Sequence, residues 1–406
     1  MKTRNLENLL LVGLDLVAIA KSAKAAGFRV YAADYFGDYD LMKICNDCRA
    51  IIKQEAKKSS GKIEKHFDPK KFVSLVKAFL KGVPVDALLL SSGLDDSFEV
   101  LEELNELVPI LGNKPEVFRK VRDKYEFFKE LKRLNLLYPE TSIVESLEDA
   151  KRVAKDIGYP VMVKPLKGFA GVGIRKVMNS KELEESFGVA SSIDRKVIIQ
   201  EYITGANASI SFISSRSETK VLTVNEQLLG LKELGQQEPF GFCGNIVPLT
   251  VSSKTFQKCH EAAKKIALHF GLLGSNGIDF ILSEEKKLYV IEVNPRFQAT
   301  FECVEKVLNL NLVEIHVKAC LNESLPRISR RISKYCARLV LFSKGQVKVE
   351  NLTGLSYVRD IPFPEAIIEE GEPLCSVIVE AENRELSLKK ALEKSEFIYR
   401  NLVRPI

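Results

Sequence analysis

Along residues 9–110, short apolar runs alternate with helical patterns. LLLVGL is a run suited to burial on both faces, and DLVAIAKSAKAAG reads as a helix that stops at Gly27. FRVYAAD reads as a second strand ending at Asp34, and VDALLLSSG as a later one. Strands separated by helices predict βαβ units and a parallel sheet, whose ligands gather at the carboxyl ends of the strands. Residues 114–135 read as one charged helical stretch leading into the next region. LEDAKRVAKDIGYPVMVKP then predicts a helix, a stop at Gly158 and a strand over 161–163. KVIIQEYITG is an apolar strand that turns polar at Gln200 and Glu201. TFQKCHEAAKKIALHFGL carries Phe256, Ala263, Ile266 and Phe270 on one helical stripe. From about residue 331 the pattern becomes short strands, closed by a helix in LSLKKALEKSEFIYRNL.

Two alternating runs carry the first chemistry. In SNGIDFIL, Ile278, Phe280 and Leu282 share one face, while Asp279 and Ile281 share the other. In KKLYVIEVNPRFQ, strict alternation puts Tyr289, Ile291 and Val293 on a core face. The opposite face starts with Leu288 and Val290, then turns to Glu292, Asn294 and Arg296. The short polar link SEEKK makes the two runs a hairpin. A turn centred between Glu285 and Lys286 sets Ile281 against Val290 and Asp279 against Glu292. Two facing carboxylates destabilise a bare sheet. A half-exposed strand with a wet face is the bland explanation; a hard cation held with phosphate oxygens is the chemical one.

Composition narrows the partners. The 406 residues are enough for two or three domains, and 46% hydrophobic with 28% charged is ordinary for a globular protein. The chain shows no apolar run of membrane-spanning length and no signal-peptide pattern, so the expected place is the cytoplasm. A net charge of +6 is dispersed, without the aromatic-basic clusters that read bases, which argues against nucleic acid and suits an acidic metabolite or nucleotide. The eight cysteines read as reduced thiols, including the Cys45 and Cys48 pair. The glycine fingerprint of a dinucleotide site is missing after the first strand, where only Gly13 stands.

Lys164 ends an apolar strand and is followed by LKGFAGVGI, with Gly168, Gly171 and Gly173 flanked by Lys167 and Arg175. Glycines let backbone amides approach and cradle phosphate oxygens, although a flexible turn has the same composition. The order of lysine, glycine loop, strand and acidic hairpin resembles the ATP-grasp superfamily of carboxylate–amine and carboxylate–thiol ligases. Within it, AKSAKAAGFRVYAADYFGD and QEYITGANASISFIS are most similar to archaeal-type carboligases related to biotin carboxylase. The resemblance implies an α/β chain with a Rossmann-like domain over 1–113. An ATP-grasp domain over 114–330 follows, with its lid subdomain at about 141–205, and then a small β-rich domain over 331–406.

Carried over by position, the resemblance implies roles for particular residues. Lys124 and Lys164 would bind phosphates, and the loop 167–174 would close over the γ-phosphate. Gln200, Glu201, Tyr202 and Ile203 would hold adenine. Asp279, Glu292 and Asn294 would ligate Mg²⁺ or Mn²⁺, and Arg296 would meet the transferring oxygens. One position departs from the pattern: where many relatives carry a ribose-binding glutamate, this chain has Asn207, which can bond a hydroxyl but without charge. The implied activity is an ADP-forming ligase that activates a small carboxylate as an acyl phosphate and joins it to an amine. A biotin-carboxylase-like or carbamoyl-phosphate-like reaction through carboxyphosphate is the alternative, and a catalytically dead nucleotide-binding regulator is a third. A homodimer is compatible with this reading. The loop SSGLDD and the stretch LKELGQQEPFGFCGNIVP are the candidate acceptor walls.

Overall fold

Near-continuous apolar sequence builds the first sheet because both of its faces are covered. In the computed structural model, which describes residues 6–63, 67–168, 170–321, 325–328 and 332–406, β1 (Asn8–Gly13), β2 (Arg29–Asp34), β3 (Asp47–Ala50) and β4 (Ala87–Leu90) run parallel in the order β3-β2-β1-β4. Leu9 and Leu11 pack with the Val17–Ala25 helix on one side. Leu10 and Val12 pack with the Lys70–Leu80 and Phe98–Leu107 helices on the other.

The predicted single helical stretch over 114–135 is two helices, Pro115–Arg122 and Lys124–Arg133. Asp123 breaks it: its backbone is extended, and its carboxylate accepts from the amides of Tyr125 at 3.1 Å and Glu126 at 3.2 Å. A side-chain acceptor at that position satisfies amides that the helix start leaves free. The break turns the chain so that Arg122 and Lys124, on either side of it, reach one carboxylate.

A second sheet forms from β5 (Thr141–Val144), β6 (Val161–Pro165), β7 (Arg175–Val177) and β8 (Val197–Glu201), antiparallel in the order β5-β8-β6-β7. Ala150, Ala154, Leu183 and Ala190 bring two helices onto it. The central sheet takes β9 (Gly205–Ser214), β10 (Thr219–Leu229), β11 (Phe242–Val247), β12 (Gly274–Ser283), β13 (Leu288–Asn294), β14 (Tyr335–Phe342), β16 (Val358–Arg359) and β18 (Pro373–Ala381). These eight are hydrogen-bonded in the order β13-β12-β9-β10-β11-β14-β18-β16, so strands from beyond residue 331 continue the same sheet. β15 (Val347–Val349), β17 (Ile367–Ile368) and β19 (Val403–Pro405) make a small separate sheet. The 330/331 boundary expected from sequence lies outside the described residues. Among the described residues, no helix is long and apolar enough to cross a membrane.

The hairpin β12–β13 has the expected pairing at its polar end, Asp279 against Glu292, but not beyond it. Phe280 pairs with Val290 and Ile281 with Tyr289, so Ile281 does not face Val290. Ile291 is an extra residue between Val290 and Glu292, which makes a β-bulge. Leu288 and Val290 therefore point into the core with Val293, while Ile291 and Glu292 both line the cleft. Strict alternation had put Leu288 and Val290 on the polar face and Ile291 in the core. The bulge lets Leu288 and Val290 reach the helix Ser253–Phe270 while Glu292 still faces the cleft.

Candidate functional site

Residues of the second, central and small sheets, and loops that follow strands of the first, line a cleft of about 890 Å³, a volume that suits a nucleotide and a further small substrate. Its central wall is the polar end of the hairpin. Asp279 accepts from the Gln227 side chain at 2.9 Å and from the Asn294 side chain at 3.0 Å. Lys124 Nζ donates to Glu292 Oε2 at 2.8 Å, and Arg122 Nη1 reaches the same oxygen at 3.4 Å. Arg122 is fixed from behind by Asp96, at 2.8 and 2.7 Å. Arg296 donates its Nε to Asp95 at 2.8 Å, its Nη1 to the Phe297 carbonyl at 2.9 Å, and its Nη2 to Asn294 Oδ1 at 3.4 Å.

These placements set the charges. Burial and the neighbouring Glu292 push the Asp279 carboxyl up to about 7. Burial also works against Glu292, but Lys124, Arg122 and Lys164 outweigh it and hold that carboxylate well below its usual range. Near neutral pH the facing pair therefore holds a proton mainly on Asp279. A divalent cation would take the place of that proton. The donors are two carboxylates and an amide oxygen, which fits a hard ion. Among the described residues, no three His, Cys, Asp or Glu side chains converge to cage a metal. That suits Mg²⁺, which keeps several ligands as water and phosphate oxygen.

Lys164 stands on the second sheet, where its Nζ donates to Gln200 Oε1 at 2.6 Å and Gln200 in turn donates to Thr141 at 2.7 Å. Burial and the nearby Lys124 lower Lys164 from an ordinary 10.5 to about 8. Between those values the unfolded chain holds a proton that the folded chain has released, so this residue's contribution to stability rises with pH across that window. A bound polyphosphate would restore the charge. ATP binding is therefore expected to take up a proton at pH 9 and to weaken above about pH 8. Calorimetry in buffers of different ionisation enthalpy measures the uptake, and Lys164→Arg, which does not titrate there, should abolish it.

The remaining predicted positions line the same cleft. Glu201, beside Gln200, accepts from the Glu140 amide at 3.1 Å; the Tyr202 ring lies 3.9 Å under Lys176 Nζ, and Ile203 is buried. Asn207 sits on β9 opposite Ile281. Lys167 is exposed, and its amide donates to Asp194 at 3.1 Å. Within the loop 167–174, Phe169 lies outside the described residues. The rest docks on 238–242: the Ala170 carbonyl accepts from the Phe242 amide at 3.3 Å, the Gly173 amide donates to Glu238 at 3.3 Å, and Arg175 pairs with Glu238. Gly171 has φ +86°, and a Cβ there would lie 2.2 Å from the Phe240 carbonyl oxygen. Gly171→Ala is expected to undock the loop. Exchange of the Phe242 amide should then quicken about tenfold or more, since a left-handed alanine alone costs about 1–2 kcal/mol. Unchanged protection would show that the loop does not depend on this contact.

Sequence reasoning did not find Arg122, Asp96 or Gln227, nor the role of Asp95. Asp95 and Asp96 belong to the SSGLDD loop already marked as a cleft wall, and Glu238 to the other marked stretch. Cys45 and Cys48 are free thiols; burial pushes Cys45 up to about 12 and raises Cys48 as well.

Comparison with known proteins adds four findings. Residues 121–300 match a family model described as an ATP-grasp domain. An uncharacterized protein of Methanocaldococcus jannaschii is 26% identical over 373 residues, covering 91% of this chain and 87% of that one. The carbamoyl phosphate synthase large chain of Corynebacterium glutamicum is 30% identical over 210 residues, which is 51% of this chain but only 18% of that much longer one. Among solved structures, the biotin carboxylase domain dimer of Hydrogenobacter thermophilus 2-oxoglutarate carboxylase, in complex with MgADP, ADP and bicarbonate, superposes with a TM-score of 0.76 at 18% identity. The match covers 96% of this chain and 90% of that one.

Proposed function

We propose that this chain, whose residues 121–300 match an ATP-grasp domain, is an ADP-forming carboxylate–amine ligase. The observation that carries this reading is the convergence on one cleft wall of the Asp279–Glu292 pair, the two lysines Lys124 and Lys164, and Arg296. In the proposed reaction, a carboxylate oxygen attacks the γ-phosphorus of ATP and the bond to ADP breaks. An amine nitrogen then attacks the acyl carbon of the acyl phosphate, phosphate leaves, and the nitrogen gives up a proton.

Lys124 and Lys164 neutralise the phosphate oxygens, and the loop 168–173 closes over them to exclude water. Gln200, Glu201, Tyr202 and Ile203 hold the base, and Asn207 meets the ribose. Asp279, Glu292 and Asn294 hold Mg²⁺, which when bound offsets phosphate charge and aligns the transferring group. Arg296 presents a planar fork to oxygens that gain charge during transfer. The chain supplies position and electrostatics rather than a covalent nucleophile.

Bicarbonate in the similar 2-oxoglutarate carboxylase domain favours one second reading, carboxyphosphate formation. That protein is a dimer, and a homodimer is the assembly we expect here. A pool of small carboxylates and amines, scored for ADP formation with Mg-ATP against bicarbonate alone, tests the proposal. ADP that requires both a carboxylate and an amine supports the ligase; ADP with bicarbonate alone supports the second reading.

A further inference from the structure

At another part of the cleft, where β1 and β2 end, acidic side chains gather; among the described residues Arg338 lies within them, and Lys21 acts on Asp40 and Asp360. Asp15, Asp38 and Asp360 line the cleft. Asp34 and Asp40 stand close enough to act electrostatically on Asp38. Arg338 accounts for two of these carboxylates. Its Nη1 donates to Asp15 Oδ2 at 2.7 Å, and its Nη2 donates to Asp15 Oδ1 at 3.1 Å and to Asp360 Oδ2 at 2.9 Å. Asp34 has a local task, accepting from the Gly37 amide at 2.6 Å, and Asp40 accepts from the Ile361 amide at 3.0 Å.

Asp38 has no such task. It is only 7% exposed and lines the cleft, yet among the described residues no hydrogen bond or ion pair reaches its carboxylate. An aspartate just before a helix normally caps it; Asp38 makes no capping bond to the Tyr39–Ile44 helix. Burial, then the charges of Asp34, Asp360, Asp40 and Asp15, push its carboxyl well above the ordinary range. A buried acid left unpaired among like charges lowers stability, and natural proteins accept such losses where function requires them.

We infer that Asp38 binds the ammonium group of a small organic amine, with Asp15 and Asp360 completing an acidic pocket already half-neutralised by Arg338. Apolar side chains of the cleft beside these carboxylates favour an organic cation over a hydrated metal ion. Phe36 and Ile52, which also line the cleft, suit the carbon skeleton of such an amine. Arg338 ties this pocket to the reaction wall, because its Nη1 also donates to the Ala299 carbonyl at 3.1 Å, three residues beyond Arg296. The inference rests on the ligase reading in one respect: it makes the bound amine the acceptor, which arrives as an ammonium ion, gives one proton to the Asp38 carboxylate so that its nitrogen can attack the acyl carbon, and loses a second proton as phosphate leaves.

The test uses the full chain holding Mg-ADP. Butylamine and 1,4-diaminobutane are titrated by ligand-observed NMR, with 1-butanol and butyrate as neutral and anionic counterparts. The amines should bind and the counterparts should not. Asp38→Asn should weaken amine binding about tenfold or more, the expected loss for a charge-assisted contact. The same variant should melt at a higher temperature than the native protein, because it removes a buried repulsion. Equal binding of butanol or butyrate, no amine binding, unchanged amine affinity in Asp38→Asn, or a lower melting temperature would each overturn the assignment. Failure of the parent reading looks different: amines bind through Asp38, but no carboxylate yields ADP. Conversely, ADP formation with an acceptor whose binding ignores Asp38→Asn leaves the ligase standing and removes this pocket from it.

Discussion

Arg296→Lys is expected to slow single-turnover ADP formation about a hundredfold while leaving ATP affinity close to normal. The guanidinium is held by Asp95, the Phe297 carbonyl and Asn294, so its orientation is set before substrate arrives. An ammonium can keep one of these contacts but cannot reproduce the fork. Removing one preorganised donor from developing charge costs about 3 kcal/mol. An interaction made chiefly in the transition state lowers the rate without weakening ground-state binding. Near-native turnover, or a loss of ATP binding as large as the loss of rate, would show that Arg296 serves another purpose.

Glu292→Gln should behave differently, because Glu292 does two things. It neutralises Lys124 and Arg122, whose side chains are only 11% and 10% exposed. Taking the charge away leaves Lys124 without its carboxylate, although Arg122 keeps Asp96. A stability loss of about 2–3 kcal/mol is expected, somewhat below the range for a fully buried pair. Glu292 is held below its ordinary 4.5, so its contribution is present above that pH and fades as pH falls further. The two proteins should therefore converge in acid, which urea titrations at pH 7 and pH 3 would reveal. In the free protein Glu292 also occupies Lys124, the lysine proposed to bind phosphate. Without Mg²⁺, the variant should bind ATP at least as well as the native chain; with Mg²⁺, it should bind worse. A native chain with equal ATP affinity in both conditions would remove the metal from Asp279 and Glu292 altogether.

What the sequence revealed and what it hid follow from the range of the interactions involved. Facing of Asp279 and Glu292 is a local fact, set by a short link and two alternating runs, and alternation was enough to find it. The extra residue at Ile291 was invisible because nothing in LYVIEVN distinguishes a bulged strand from a regular one; the difference lies in what packs beneath Leu288 and Val290. The break at Asp123 was legible in principle, since RDKYE offers an acidic cap, but the helical pattern on both sides masked it. Arg122 with Asp96 and Arg296 with Asp95 join residues far apart in the chain, and Arg338 meets Asp15 across an even longer separation. No pattern in one stretch encodes such a meeting, so these partners emerged only when the sheets were assembled.

The unbroken run of eight strands from β13 to β16 constrains how this molecule can change shape. Backbone bonds bind the wall with Glu292 to the strand with Arg338 through one stiff platform, so the two cannot swing apart like jaws. The smaller sheet that carries Lys164 joins the platform by chain connections rather than by a strand pair, so opening of the cleft is expected to move that sheet. Glu292 and Arg338 thus keep a fixed separation, against which the reach of a bound ligand between them can be measured.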